Sequence, residues 1–133
     1  MASGGTEAEW RTAVSRAYYG AFHVGCDLLR GLGFDIPKAD RAHAYVGLRL
    51  MNSSDDNVSE AGRRLAELRS RRNQADYDKR GRFTAIDAED FAYTARQIIA
   101  TLDEALQDPL RSQITDAIKK YERDVLSEVT WRD

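Results

Sequence analysis

"EWRTAVSRAYYGAFHVGCDLL", residues 9 to 29, decides the fold. Its apolar positions Trp10, Ala13, Val14, Ala17, Tyr18, Ala21, Phe22, Gly25, Leu28 and Leu29 recur at i, i+3, i+4 and i+7. That is the period of one face of an α-helix, not the alternation of a strand. The pattern predicts a helix from about Thr6 to Leu32. It stops at "GLGFDIP", where Gly31, Gly33 and Pro37 end it.

The rest of the chain repeats the same period. A second helix is expected from about Lys38 to Met51, with Ala42, Tyr45, Val46, Leu48 and Met51 turned inward. "NSSDDN" reads as a loop. A third helix is expected to start at Asn57, whose side chain and that of Glu60 form a capping box, and to end near Gly81. Its apolar positions are Val58, Ala61, Leu65, Leu68 and Ala75. A fourth starts at Thr84 with Asp87 three residues on, and buries Phe91, Thr94, Ala95, Ile98, Ile99, Leu102 and Leu106. A fifth takes Asp108 as N-cap and Pro109 as its first residue, and carries Leu110, Ile114, Ile118, Tyr121, Val125 and Leu126. It is more charged than the others and is expected to be the least buried, or to pack on a partner. No segment alternates as a strand does. The expected fold is all-α: one domain over residues 1–133, an antiparallel bundle of about five helices. A four-helix core covers about residues 6–106, and a C-terminal helix about 109–128.

Composition bounds the function. Hydrophobic residues at 42% and charged residues at 32% suit a soluble globular chain. No apolar run approaches the ~20 residues of a membrane span, and the acidic N-terminus carries no apolar signal segment. The lone Cys26 cannot form an internal disulfide and reads as buried filler, so a reducing cytoplasm is the expected compartment. One Cys and two distant His make no zinc set, and no Gly-rich phosphate loop is present, so neither a metal nor a cofactor is expected. The net charge of −2 argues against a general nucleic-acid binder. From Glu60 to Arg82, however, eight basic residues face four acidic ones. A basic stripe on an acidic body can still meet a phosphate backbone.

That stripe contains "ELRSRRNQADYDKR", residues 67–80. On a wheel of about 100° per residue, Arg72 borders the apolar stripe of the third helix, and Arg69, Asn73, Asp76 and Tyr77 lie beside it. An arginine there must be paired or must face a cleft, because an unpaired buried charge is very costly. Asp76 is one turn away and can accept from it. Arg71 falls on the far side and reads as solvated. On the first helix Arg16, Tyr19 and His23 share a polar line that can face this group, while Tyr18 and Phe22 point to a more apolar side. His23 and His43 are each expected in surface or packing roles.

"AVSRAYYGAFHVGCDLL" followed by "LRSRRNQADYD" resembles the HEPN family (higher eukaryotes and prokaryotes nucleotide-binding domain). The family's Ser-Arg-x-Tyr-Tyr signature stands as Ser15, Arg16, Tyr18 and Tyr19. Its Arg-x-x-Ala-Asp-Tyr signature stands as Arg72, Ala75, Asp76 and Tyr77, and an intervening His has its counterpart in His43. The resemblance spans roughly residues 8–106. It implies a helical homodimer whose polar cleft takes RNA, a nucleotide or a partner nucleotidyltransferase, within a prokaryotic toxin–antitoxin or defence-type module. Arg16, Tyr19, His23, Arg69 and Asp76 would line that cleft.

Many relatives of this type are metal-independent endoribonucleases. Arg steadies the charged phosphate of the transition state, and a His four to six residues later moves the proton of the attacking 2′-hydroxyl. Here the catalytic candidates are Arg72, Asn73 and Tyr77, with tyrosine where an active relative has histidine. A tyrosine with a pKa near 10 is a poor base at neutral pH. Two readings stay open: a binding and interaction protein, and a ribonuclease whose base lies elsewhere. The polar motif beside an apolar stripe, with the resemblance, predicts a homodimer. Light scattering at micromolar concentration should give twice the chain mass, and a monomer would count against a shared cleft.

Overall fold

The structure is a computed structural model that describes residues 6–77 and 84–132, with only the backbone described at Glu7 and at residues 75–77. Five α-helices follow one another: α1 (Glu7–Gly31), α2 (Arg41–Met51), α3 (Asp56–Tyr77), α4 (Ala85–Glu104) and α5 (Leu110–Tyr121). A π-helical turn, Glu122–Leu126, continues α5. The all-α bundle expected from the periodicity is what forms. The one β pairing among the described residues is an isolated bridge between Phe34 and Trp131.

Helix starts are set by short polar side chains. Thr6 accepts from the Glu9 N–H at 3.3 Å to open α1. Thr84 and Asp87 form the expected reciprocal box at α4. Two caps differ from expectation. At α3 the capping oxygen comes from Asp55, which accepts from the Val58 N–H at 3.0 Å, so the helix begins before Asn57. The loop has two consecutive acids, and the first reaches the free N–H groups. At α5, Asp108 accepts from the Ser112 N–H at 2.9 Å and its hydroxyl at 2.6 Å, while Pro109 stands just outside the helix. The expected end of α3 near Gly81 lies outside the described residues.

α1 packs chiefly on α4, and α2 chiefly on α3. Val14, Tyr18, Ala21, Leu28 and Leu29 of α1 meet Phe91, Ala95, Ile98 and Leu102 of α4 in the core. Leu106, expected inside, is 39% exposed, because α4 ends at Glu104 and the chain turns there. α2 and α3 form a tight antiparallel hairpin. A Cβ at Gly62 would sit 2.7 Å from the Leu50 Cβ and 2.9 Å from the Met51 nitrogen, so only glycine permits this crossing.

The fifth helix buries the fewest described residues of the five, Ile114 and Ile118, as its charged sequence predicts. Those two are fully buried, however, and so is Glu122, one turn further on. Glu122 Oε2 accepts from Arg49 Nε at 3.0 Å, and the Arg49 guanidinium lies 3.7 Å from the centre of the Tyr45 ring. The same carboxylate accepts from the Thr130 N–H at 2.8 Å and the Thr130 hydroxyl at 2.6 Å, and the Tyr45 hydroxyl bonds Thr130. Widening the helix into a π turn also takes Val125 away from the core, where the period had placed it; it is 69% exposed. The tail then runs beside the α1–α2 connection. The Asp35 N–H donates to the Thr130 carbonyl at 3.0 Å and the Arg132 N–H to the Gly33 carbonyl at 2.9 Å, and Gly33 supplies the positive φ of 102° that the turn requires.

Removing one partner of a buried pair leaves the other charge stranded, at a cost of about 3–5 kcal/mol. Arg49→Met and Glu122→Gln should each lose stability on this scale in urea unfolding. Arg49→Met combined with Glu122→Leu should recover a large part of it, because no charge is then left behind. Single variants within 1 kcal/mol of the parent would show that the pair is not holding α5.

Candidate functional site

The site lies where α1, α2 and α3 meet, and an aromatic face of α1 builds its floor. Tyr18, Tyr19, Phe22 and His23 stand at i, i+1, i+4 and i+5, so helical spacing gathers four rings on one side. Tyr18 and Tyr19 meet edge to face at 5.3 Å. Phe22 lies 5.7 Å from His23, and Tyr19 6.2 Å. The division of Tyr18 and Phe22 from Tyr19 and His23 is therefore a difference of depth on one face. Tyr18 and Phe22 are buried, Tyr19 is half-buried and His23 is exposed.

α2 contributes His43. Its ring stacks on Phe22 at 4.3 Å, and its Nδ1 shares a 2.6 Å hydrogen bond with the Tyr18 hydroxyl. The packing role expected for His43 is present, but the residue is also half-buried at the site's edge, with one ring nitrogen outside that bond. Burial lowers its pKa below the usual imidazole value. The nearby Arg69 and Arg72 guanidinium groups and His23 lower it further, against an upward pull from Asp40. His43 is therefore neutral at pH 7. Burial pushes the Tyr18 phenol up to about 12, so it stays protonated and acts as a hydrogen-bonding post.

α3 contributes the cations. The Arg72 guanidinium carbon lies 4.9 Å from the centre of the Tyr19 ring and 6.0 Å from that of Tyr18, within cation–π range. Its Nε donates to Ser15 Oγ at 3.3 Å, and another of its nitrogens donates to Asn73 Oδ1 at 3.3 Å. The side chain is thus stacked, tethered and half-buried at the border of the core, as the helical wheel requires. Arg69, one turn earlier, is also half-buried and borders the cavity that Tyr18 and His43 line.

The structure gathers Tyr19, His23, Arg69, Arg72 and Asn73 in one place. It does not bring Arg16 there. Arg16 is exposed and borders a shallow depression with Glu9 and Thr12, nearer the start of α1. The side chains of Asp76 and Tyr77 lie outside the described residues. Arg71 is exposed as expected, with its head 5.7 Å from the Phe91 ring. Cys26 is buried, and burial raises its thiol pKa, which suits filler and not a nucleophile. No group of three or more His, Cys, Asp or Glu among the described residues could hold a metal.

Two contributors have no position in the sequence: Ser15 is there a motif letter without a role, and His43 an imidazole that nothing places beside α3. Both act across helices, at 57 and 25 positions from their partners Arg72 and Tyr18, and spacing within one helix carries no signal for such pairs.

Two guanidinium groups beside a neutral imidazole can bind a phosphate or carboxylate and can accept a proton near it. The Tyr19 ring adds a face on which a base can stack. Comparison of the chain with family models, with curated proteins and with solved structures gives no match.

A lowered folded-state pKa means that protonation of His43 favours the unfolded chain. This contribution to stability is present above the unfolded value of about 6.5 and is lost as pH falls below it. NMR titration should give His43 a midpoint below 6.5. Arg69→Met should raise that midpoint, and His43→Gln should flatten the fall in Tm between pH 7.5 and 5.5. A midpoint at or above 6.5 would contradict the burial and the two cations together.

Proposed function

We propose that this chain is a HEPN-like RNA-binding protein. It would act as a homodimer beside a nucleotidyltransferase partner in a prokaryotic toxin–antitoxin or defence-type module. The observation that carries the RNA reading is Arg72 stacked on Tyr19 and tethered to Ser15 and Asn73, with Arg69 one turn away. A guanidinium held in this way meets a backbone phosphate without first losing its side-chain freedom. The adjoining aromatic ring suits an unpaired base, so single-stranded RNA is the favoured form. The basic surplus between Glu60 and Arg82 supports the same partner.

One observation favours a second reading, metal-independent RNA cleavage. His43 is a neutral imidazole beside Arg69 and Arg72, so it can replace the histidine missing from α3 as the base. In that reaction His43 takes the proton of a 2′-hydroxyl and the 2′-oxygen attacks phosphorus. The P–O5′ bond breaks, leaving a 2′,3′-cyclic phosphate, the 5′-oxygen takes its proton from water, and the imidazolium of His43 returns its proton to solvent. Arg72 and Arg69 would balance the charge that builds on the phosphoryl oxygens. Asn73 would keep the Arg72 head aimed.

The two readings separate in one set of assays. Single-stranded RNA should bind in fluorescence anisotropy, more weakly as salt rises, and Arg72→Ala should reduce affinity about tenfold, the scale of one charged hydrogen-bonded contact. Equal affinity for the parent and Arg72→Ala would sink the binding reading. Cleavage of total RNA that survives EDTA should fall roughly 100-fold or more in His43→Gln if His43 is the base. No cleavage by the parent, or undiminished cleavage by that variant, would remove His43 from catalysis.

A further inference from the structure

The site opens into a groove whose apolar length the RNA reading does not use. A cavity of about 320 Å³ lies between α2 and α3, at the low end of the range of small-molecule pockets. Ala44, Leu48 and Met51 form one wall and Leu65 and Ala66 the other, and at this end of the groove no side chain offers a strong hydrogen bond. The polar lining is at the opposite end, where Arg69 of α3 stands near His43 and Tyr18. The groove is thus apolar along its length and cationic at one mouth. Leu48 is 40% exposed here, more than a large aliphatic side chain facing a sealed core.

Two features restrict the occupant. The Gly62 crossing draws α2 and α3 too close for a third helix, and the volume is that of a single slender chain. Arg69 is half-buried, and among the described residues it makes no hydrogen bond or ion pair. A guanidinium in that state is stabilised by an anion that arrives with an apolar body. A nucleobase fits less well, because its polar edges would face Ala44, Leu48 and Met51 without partners.

We propose that this groove binds a medium-chain carboxylate, with its alkyl chain along α2 and its carboxylate on Arg69. From His43 to Met51 the α2 lining runs about 12 Å, the reach of an extended chain of about ten carbons. With the Tyr18 hydroxyl donating to Nδ1, the Nε2–H of His43 is a second donor to the same carboxylate. The chain length is set by the apolar wall and the choice of an acid by Arg69. The inference concerns a ligand distinct from RNA that shares Arg69 and His43 with it, and its test is read without RNA.

The test uses the whole chain and no RNA. Decanoate, butyrate and decyltrimethylammonium are titrated while the methyl resonances of Met51 and the ring resonances of His43 are followed by NMR. Decanoate should give saturable shifts at both ends of the groove, butyrate should give none at Met51, and the cation should not saturate. Decanoate should also raise the His43 midpoint, since a carboxylate beside the ring favours imidazolium. Arg69→Met should weaken decanoate at least tenfold. Ala66→Phe should block the groove with a change at an exposed position, and Ala44→Phe does the same from the opposite wall if the first fails to fold. Absence of saturation, equal binding of decanoate and the cation, or less than a tenfold loss in a folded Arg69→Met protein would overturn the proposal.

Discussion

The place of His43 at the site depends on where α2 lies, and beside its packing on α3 that helix carries one half of a buried ion pair. Arg49 and Glu122 are almost entirely removed from water, and neither could stay charged there alone. The pair survives because its remaining lone pairs and faces are filled. Thr130 donates twice to the carboxylate, and the Tyr45 ring covers the guanidinium. The arrangement therefore needs α2, α5 and the tail together. It makes α5 part of the core, and it holds His43, two turns before Arg49, over the rings of α1.

On that frame the site divides its work by depth. The buried rings of Tyr18 and Phe22 orient His43 and keep it neutral. The half-buried Tyr19 and Ser15 hold Arg72. Both arginines come from one helix, one turn apart, so their guanidinium groups approach an anion from the same side. An imidazole from another helix approaches from a second direction. Chemistry at a phosphate needs such a convergence, which a single helix cannot supply by itself.

Much of the fold was legible because helical periodicity is a local property. Val14, Tyr18, Ala21, Leu28 and Leu29 are buried where the i, i+3, i+4 rule puts them, as are Phe91, Ala95, Ile98 and Leu102. The Thr84–Asp87 box was readable for the same reason. The placement of Arg72 at the core's edge also followed from the wheel. What could not be read depended on distant partners or on a change of helical pitch. Nothing in the sequence marks Glu122, whose interior place comes from the π turn and from Arg49. Val125 followed the period on paper and left the core when the pitch changed. Arg16 shares a helix line with Tyr19, yet its side chain is exposed and borders a depression nearer the start of α1.

The separation of Arg49 from Glu122, 73 positions along the chain, bears on how the protein is made. A nascent chain that has released α1 to α4 holds the aromatic floor, the α2–α3 hairpin and both site arginines. It still lacks the carboxylate that lets Arg49 leave water. Until α5 emerges, α2 has a solvated arginine on the side that must become interior, and closing so long a loop is an entropic cost met late. Docking of Glu122 is then the step that lets Arg49 leave water, and it comes after every described site residue has been made.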